Sequence, residues 1–104
     1  MTPIVIDVMG SDYGLATVVR GSAQLSTEQN PVPMFLVGDS DHIVSVLRKT
    51  NYNPRYLRVV HASEYVKMDE DPKILYSKKD TSLQVAAQLI KSGEGSALVS
   101  AGNT

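Results

Sequence analysis

The sequence predicts an α/β fold on a mostly parallel sheet, and three observations carry that expectation. Short runs rich in valine and isoleucine alternate with stretches of helical period. Prolines and glycines punctuate the changes of period. Small polar residues gather where three of the apolar runs end. Strands alternating with amphipathic helices imply parallel pairing and right-handed crossovers.

The elements follow in order. "PIVIDVM" (3–9), bounded by Pro3 and Gly10, suits a buried strand. Over 14–27, Leu15, Val18, Val19 and Ser22 fall at i, i+3, i+4 and i+7, with Ala23 and Leu25 nearby, which predicts one apolar helical face. Gly21 inside that helix costs roughly 1 kcal/mol relative to alanine. "NP" at 30–31 breaks the chain, and "VPMFLVG" (32–38) reads as a second strand with Pro33 near its start. Asp39 or Ser40 can cap a helix over 41–49 that buries Ile43, Val46 and Leu47. "NYNP" (51–54) is a turn, and "YLRVV" (56–60) is a third strand. Residues 61–80 have no clean period and form a long connection of the kind that often serves as a binding loop. Thr81 can cap a helix over 81–92 with an apolar face of Leu83, Ala86, Ala87 and Ile90, and Gly93 suits a left-handed C-terminal residue. "SALVSA" (96–101) is a fourth strand, apolar on both faces, whose edge is expected to promote self-association.

Composition bounds the function. The 104 residues make at most one domain, with 42% hydrophobic and 20% charged residues. The net charge of −1 gives no general reason to bind nucleic acid. Residues 48–79 nevertheless hold eight of the ten basic residues against four acids, so a segment of +4 stands against −5 elsewhere. That segment is either a solvated face or a dock for an acidic partner or anionic substrate. Without cysteine there is no disulfide, thiolate nucleophile or cysteine-ligated zinc. The N-terminus lacks a basic region and meets Asp7, and no apolar run nears the ~20 residues of a membrane span, so a soluble, cytoplasmic protein is expected.

Ligands of open parallel sheets gather beyond the carboxyl ends of the strands. "MGSDYG" (9–14), "VGDSD" (37–41) and "SAGNT" (100–104) occupy three such ends, and their glycines let backbone amides approach a ligand. Lys78, Lys79, Asp80, Thr81 and Ser82 lead into a helix start and suit an anion, or simply cap the helix beside surface lysines. There is no dinucleotide fingerprint and no Walker A lysine motif. His42 and His61 lack a second histidine at ligand spacing, and the acidic trio Asp69, Glu70 and Asp71 reads as solvated loop. Neither a metal nor a cofactor is expected.

Taken together, "IDVMGSD", "VGD", "HASEYVKMDEDP", "KKDTSLQVA" and "VSAGNT" occur in an order that resembles the N-terminal part of the PlsX family, bacterial phosphate acyltransferases of phospholipid synthesis. The resemblance covers essentially the whole chain. Two departures stand out: Ser11 where the family usually has a second glycine, and "ILYS" (74–77) without the arginine often found before the two lysines.

The resemblance implies an isocitrate/isopropylmalate-dehydrogenase-like fold in a homodimer. It also implies transfer of a fatty acyl group from acyl carrier protein to inorganic phosphate. By similarity the phosphate or substrate set comprises Gly10, Asp12, Lys79, Ser82, Ser100, Gly102, Asn103 and Thr104, with no catalytic residue assigned. The family is roughly three times this length, about two domains' worth of chain. The chain is therefore expected to be an N-terminal piece, one partial domain, inactive alone; peripheral membrane association would involve other parts. The rival expectation is a receiver-like or flavodoxin-like binding module, in which Asp7 and Asp12 would imitate an acidic pocket. That reading lacks a lysine at the end of a late strand and a fifth strand.

Overall fold

A computed structural model of the chain describes residues 2–9, 14–63 and 81–100. Among these, the elements run β1 (Ile4–Asp7), α1 (Leu15–Ser26), β2 (Met34–Gly38), α2 (Ser40–Leu47), β3 (Leu57–His61), α3 (Ser82–Lys91) and β4 (Ala97–Ser100). The strands form one parallel sheet in the order β3-β2-β1-β4. The predicted α/β fold and its alternation of strand and helix are therefore observed.

The strand order explains the layering. From β1 the chain steps through α1 to β2 and through α2 to β3, all in one direction. It then returns, and β4 pairs with the opposite side of β1 in the register Ile4–Ala97 to Asp7–Ser100. Right-handed crossovers that reverse direction place their helices on opposite faces of a sheet. Two apolar clusters match. Val19 and Ala23 of α1 and Ile43 and Leu47 of α2 pack with Val8, Met34, Leu36 and Leu57. Ala86 of α3 packs on the other side with Val5, Phe35, Val37 and Ala62. β2 lies between both clusters, and all five of its residues are buried. β4 is an edge strand in which Leu98 and Val99 are 40% and 53% exposed.

Local chemistry sets the helix ends. Gly14 precedes α1 with φ +84°, a conformation that favours glycine, and no side chain caps this helix. Of the two capping candidates for α2, Asp39 takes the role: its carboxylate accepts the Asp41 N–H at 3.2 Å. The Thr81 hydroxyl oxygen accepts the Gln84 N–H at 3.1 Å and caps α3 as predicted. Gly93 ends that helix at φ +85°, the left-handed conformation expected there.

The predicted apolar faces are observed with adjustments at single residues, Leu15 and Val18 of α1 and Val46 of α2 packing partly buried against the core. On α1 the buried residues are Val19, Ser22, Ala23 and Ser26, while Leu25 is exposed. Ser26 earns its place through hydrogen bonds, donating to the Ala23 carbonyl at 2.6 Å and accepting the Asn53 N–H at 2.9 Å. On α2, Ile43 and Leu47 are buried but Val46 only partly so. On α3 the inward face is Ser82, Val85, Ala86, Leu89 and Ile90, and Ala87 is exposed. Ser82 lies on this face and bonds a buried carboxylate, which a purely apolar template overlooks.

Candidate functional site

Because β1 is followed on one side by β2 and on the other by β4, the β1/β4 boundary is the topological switch point of the sheet. In open parallel sheets that boundary, beyond the carboxyl ends of the strands, is where ligands bind. Asp7 closes β1, Ser100 closes β4 and Ser82 opens α3. These three side chains meet. Ser100 Oγ donates to Asp7 Oδ2 at 3.3 Å, and the Met9 N–H donates to Asp7 Oδ1 at 3.0 Å. The Ser82 hydroxyl donates to the same carboxylate. Strand alternation sends Val5 and Asp7 to the α3 face, so a carboxylate sits where the apolar cluster of that face ends.

Asp7 is only 5% exposed, and Ser82 is 1% exposed. Burial pushes the Asp7 carboxyl above its ordinary value, while hydrogen bonds from Ser82, Met9 and Ser100 pull the other way without cancelling the effect. The buried charge is thus partnered but still costly.

The neighbouring strand ends are built differently. A Cβ on Gly38 would lie 2.8 Å from Met9 Cγ and Sδ and 2.9 Å from Val8 Cγ2, so glycine here makes room for packing. The Asp39 N–H points to Met9 Sδ at 3.5 Å. At the ends of β2 and β3, His61 Nδ1 accepts the Ser40 N–H at 3.2 Å and lies 3.0 Å from Ser40 Oγ. "VGDSD" is therefore occupied by capping and packing in this structure. Among the described residues no group of histidine and acidic side chains is arranged to hold a metal ion. No helix among them is long and apolar enough to cross a membrane.

Of the residues expected at the site, Ser82 and Ser100 come together on Asp7. Gly10, Asp12, Lys79, Gly102, Asn103 and Thr104 lie outside the described residues. Asp7 is not among the residues that the family resemblance places at the site. Its position as the last residue of a central strand, in an otherwise apolar run, is the signal that could have singled it out. At the opposite end of the sheet, Pro3, Pro33, Arg55, Tyr56, Arg58 and Glu94 help line a concavity of about 320 Å³. It lies by the amino ends of the strands, away from the switch point.

A family model described as "Fatty acid synthesis protein" matches residues 2–104. The chain is 42% identical over 105 residues to a phosphate acyltransferase of Aquifex aeolicus, which covers 100% of the chain and 31% of that relative. It is 46% identical over 108 residues to a phosphate acyltransferase of Methylococcus capsulatus, with the same coverage of 100% and 31%. With a phosphate acyltransferase of Oleidesulfovibrio alaskensis the identity is 41%, over 97% of the chain and 29% of the relative. The chain thus spans a little under a third of the length of these relatives. The match along nearly its whole length shows that it belongs to the fatty acid synthesis protein family.

Proposed function

We propose that this chain forms the switch-point part of a phosphate acyltransferase, an enzyme that moves a fatty acyl group from acyl carrier protein to inorganic phosphate for phospholipid synthesis. The observation that carries this reading is the similarity, at 41–46% identity over 97–100% of the chain, to three proteins named phosphate acyltransferase. In the proposed reaction a phosphate oxygen attacks the thioester carbonyl and forms a tetrahedral oxyanion. Collapse breaks the carbon–sulfur bond, giving acyl phosphate, and the carrier thiolate takes up a proton. Phosphate is the nucleophile, so the absence of cysteine from the chain is no obstacle.

The protein's task would be to hold phosphate in line and to donate hydrogen bonds to the oxyanion. The β1/β4 switch point is the expected place for phosphate, with Ser82 and Ser100 beside it. Gly10, Asp12, Lys79, Gly102, Asn103 and Thr104 would complete it from adjoining positions. Exposed Arg48, Lys49, Arg55 and Arg58, in a stretch without acids from 48 to 63, would suit the acidic carrier protein. A cytoplasmic homodimer completes the proposal.

The test is a phosphate-dependent release of carrier thiol from fatty acyl carrier protein, assayed with a protein of the relatives' full length that carries this chain. Acyl phosphate formed in step with thiol release is the expected result. Thiol release that ignores phosphate would mean a thioesterase or another acyl transfer.

A further inference from the structure

The switch point holds one buried group that phosphate chemistry does not call for. A carboxylate beside an anion site is electrostatically unfavourable, and Asp7 is desolvated as well. Its hydrogen bonds give it a different use. Asp7 Oδ2 accepts from Ser100 Oγ at 3.3 Å, Oδ1 accepts from the Met9 N–H at 3.0 Å, and the Ser82 hydroxyl donates to the same group. Three separate pieces of backbone are joined: the segment leaving β1, the end of β4 and the first turn of α3. Ser100 lies 93 positions from Asp7 in sequence, so the contact fixes a long-range geometry.

The polarity of these bonds matters. A serine hydroxyl carries a single proton. A serine that donates it to Asp7 has none left for a bound anion. We infer that Asp7 is the positioning residue of the switch point: it takes the hydroxyl protons of Ser82 and Ser100 and so fixes the end of β4 and the start of α3 against β1. An anion bound beside these strand ends would then be met by backbone N–H groups and not by the two hydroxyls. This rests on the proposed phosphate site and specifies how its wall is kept in register.

The inference and simple electrostatics predict opposite signs. If Asp7 were only a nearby negative charge, removing it would strengthen phosphate binding. If it positions the wall, Asp7→Ala should weaken binding by roughly tenfold or more, because displacing binding groups by about an ångström is costly. Asp7→Asn should bind phosphate at least as tightly as the unaltered chain. Its carbonyl oxygen still accepts the Met9 N–H, its amide can donate to the serine oxygens, and the charge is gone.

The experiment is a titration of the chain and both variants with inorganic phosphate, followed by the backbone amide resonances of Met9, Ser82 and Ser100. Weaker binding in Asp7→Ala with restoration in Asp7→Asn supports the inference. Equal or tighter binding in Asp7→Ala overturns it and leaves the phosphate site standing. If phosphate moves none of these resonances in the unaltered chain, the phosphate reading fails, and amide exchange then decides about Asp7. Faster exchange at Met9, Ser82 and Ser100 in Asp7→Ala but not in Asp7→Asn keeps the positioning role, whereas unchanged exchange removes it. Should Asp7→Ala not fold, Asp7→Ser carries the same comparison, since it keeps a polar group in the slot but cannot reach both serines.

Discussion

β2 and β4 are both short apolar strands, yet they live in different surroundings. All five residues of Met34–Gly38 are buried, whereas Ala97, Leu98 and Val99 of Ala97–Ser100 are exposed. Each strand can be buried on both faces, and composition does not distinguish them. Position does. β2 sits between β1 and β3 with helices above and below, while β4 has a strand neighbour on one side only. Register places Leu98 beside Val5 on the α3 face and Val99 beside Ile6 on the other. An apolar pattern states what a strand tolerates, and the strand order decides what it receives.

The largest effect that follows is a contrast between two truncations. Leu36→Ala, at a fully buried residue of β2, should cost about 2–5 kcal/mol in urea unfolding. Leu98→Ala should cost about 1 kcal/mol, since 40% of that residue is already in water. Equal losses would mean that β4 is covered in solution and that the contrast between the strands is false.

A second measurement sharpens the picture where β1 meets β4. Burial raises the Asp7 carboxyl above its ordinary 3.8, so over the interval between the two values the folded chain holds a proton that the unfolded chain has lost. That contribution is whole below 3.8 and is lost as pH rises through the raised value. Asp7→Asn has no such proton to lose. Its stability relative to the unaltered chain should therefore climb as pH rises from 3.8 and then level off. A difference that stays flat across that range would show that Asp7 is not desolvated.

The smallest effect tests the helix beside β2. Gly21 lies within α1 with open space where a Cβ would stand. Gly21→Ala should raise stability by roughly 0.5–1 kcal/mol through helix propensity. Thermal unfolding would register it, and a loss instead would mean that the α1 surface is packed against something.

These contrasts show what could be read from the sequence and what could not. Caps and stops are local, so Asp39, Thr81 and Gly93 fell where turn and helix chemistry put them. The alternation of strand and helix was equally visible, because period is a local property. The inward place of Ser82 on α3 was not, because Ser82 counts as polar until its distant partner is known. Leu25 shows the reverse error, an apolar residue at a position that faces water. Of the residues expected at the site, two serines converge on one group. Asp7 joins residues from opposite ends of the chain, and no window of sequence contains that relation.

The proposed anion site of this chain lies at the β1/β4 switch point. The most direct test is to map inorganic phosphate onto the folded chain by amide chemical shifts at every assigned residue. Shifts concentrated at Met9, Ser82 and Ser100, at the carboxyl ends of β1 and β4 and the start of α3, are the predicted result. Shifts confined to Arg55, Tyr56 and Arg58, in the concavity at the amino ends of the strands, would contradict it.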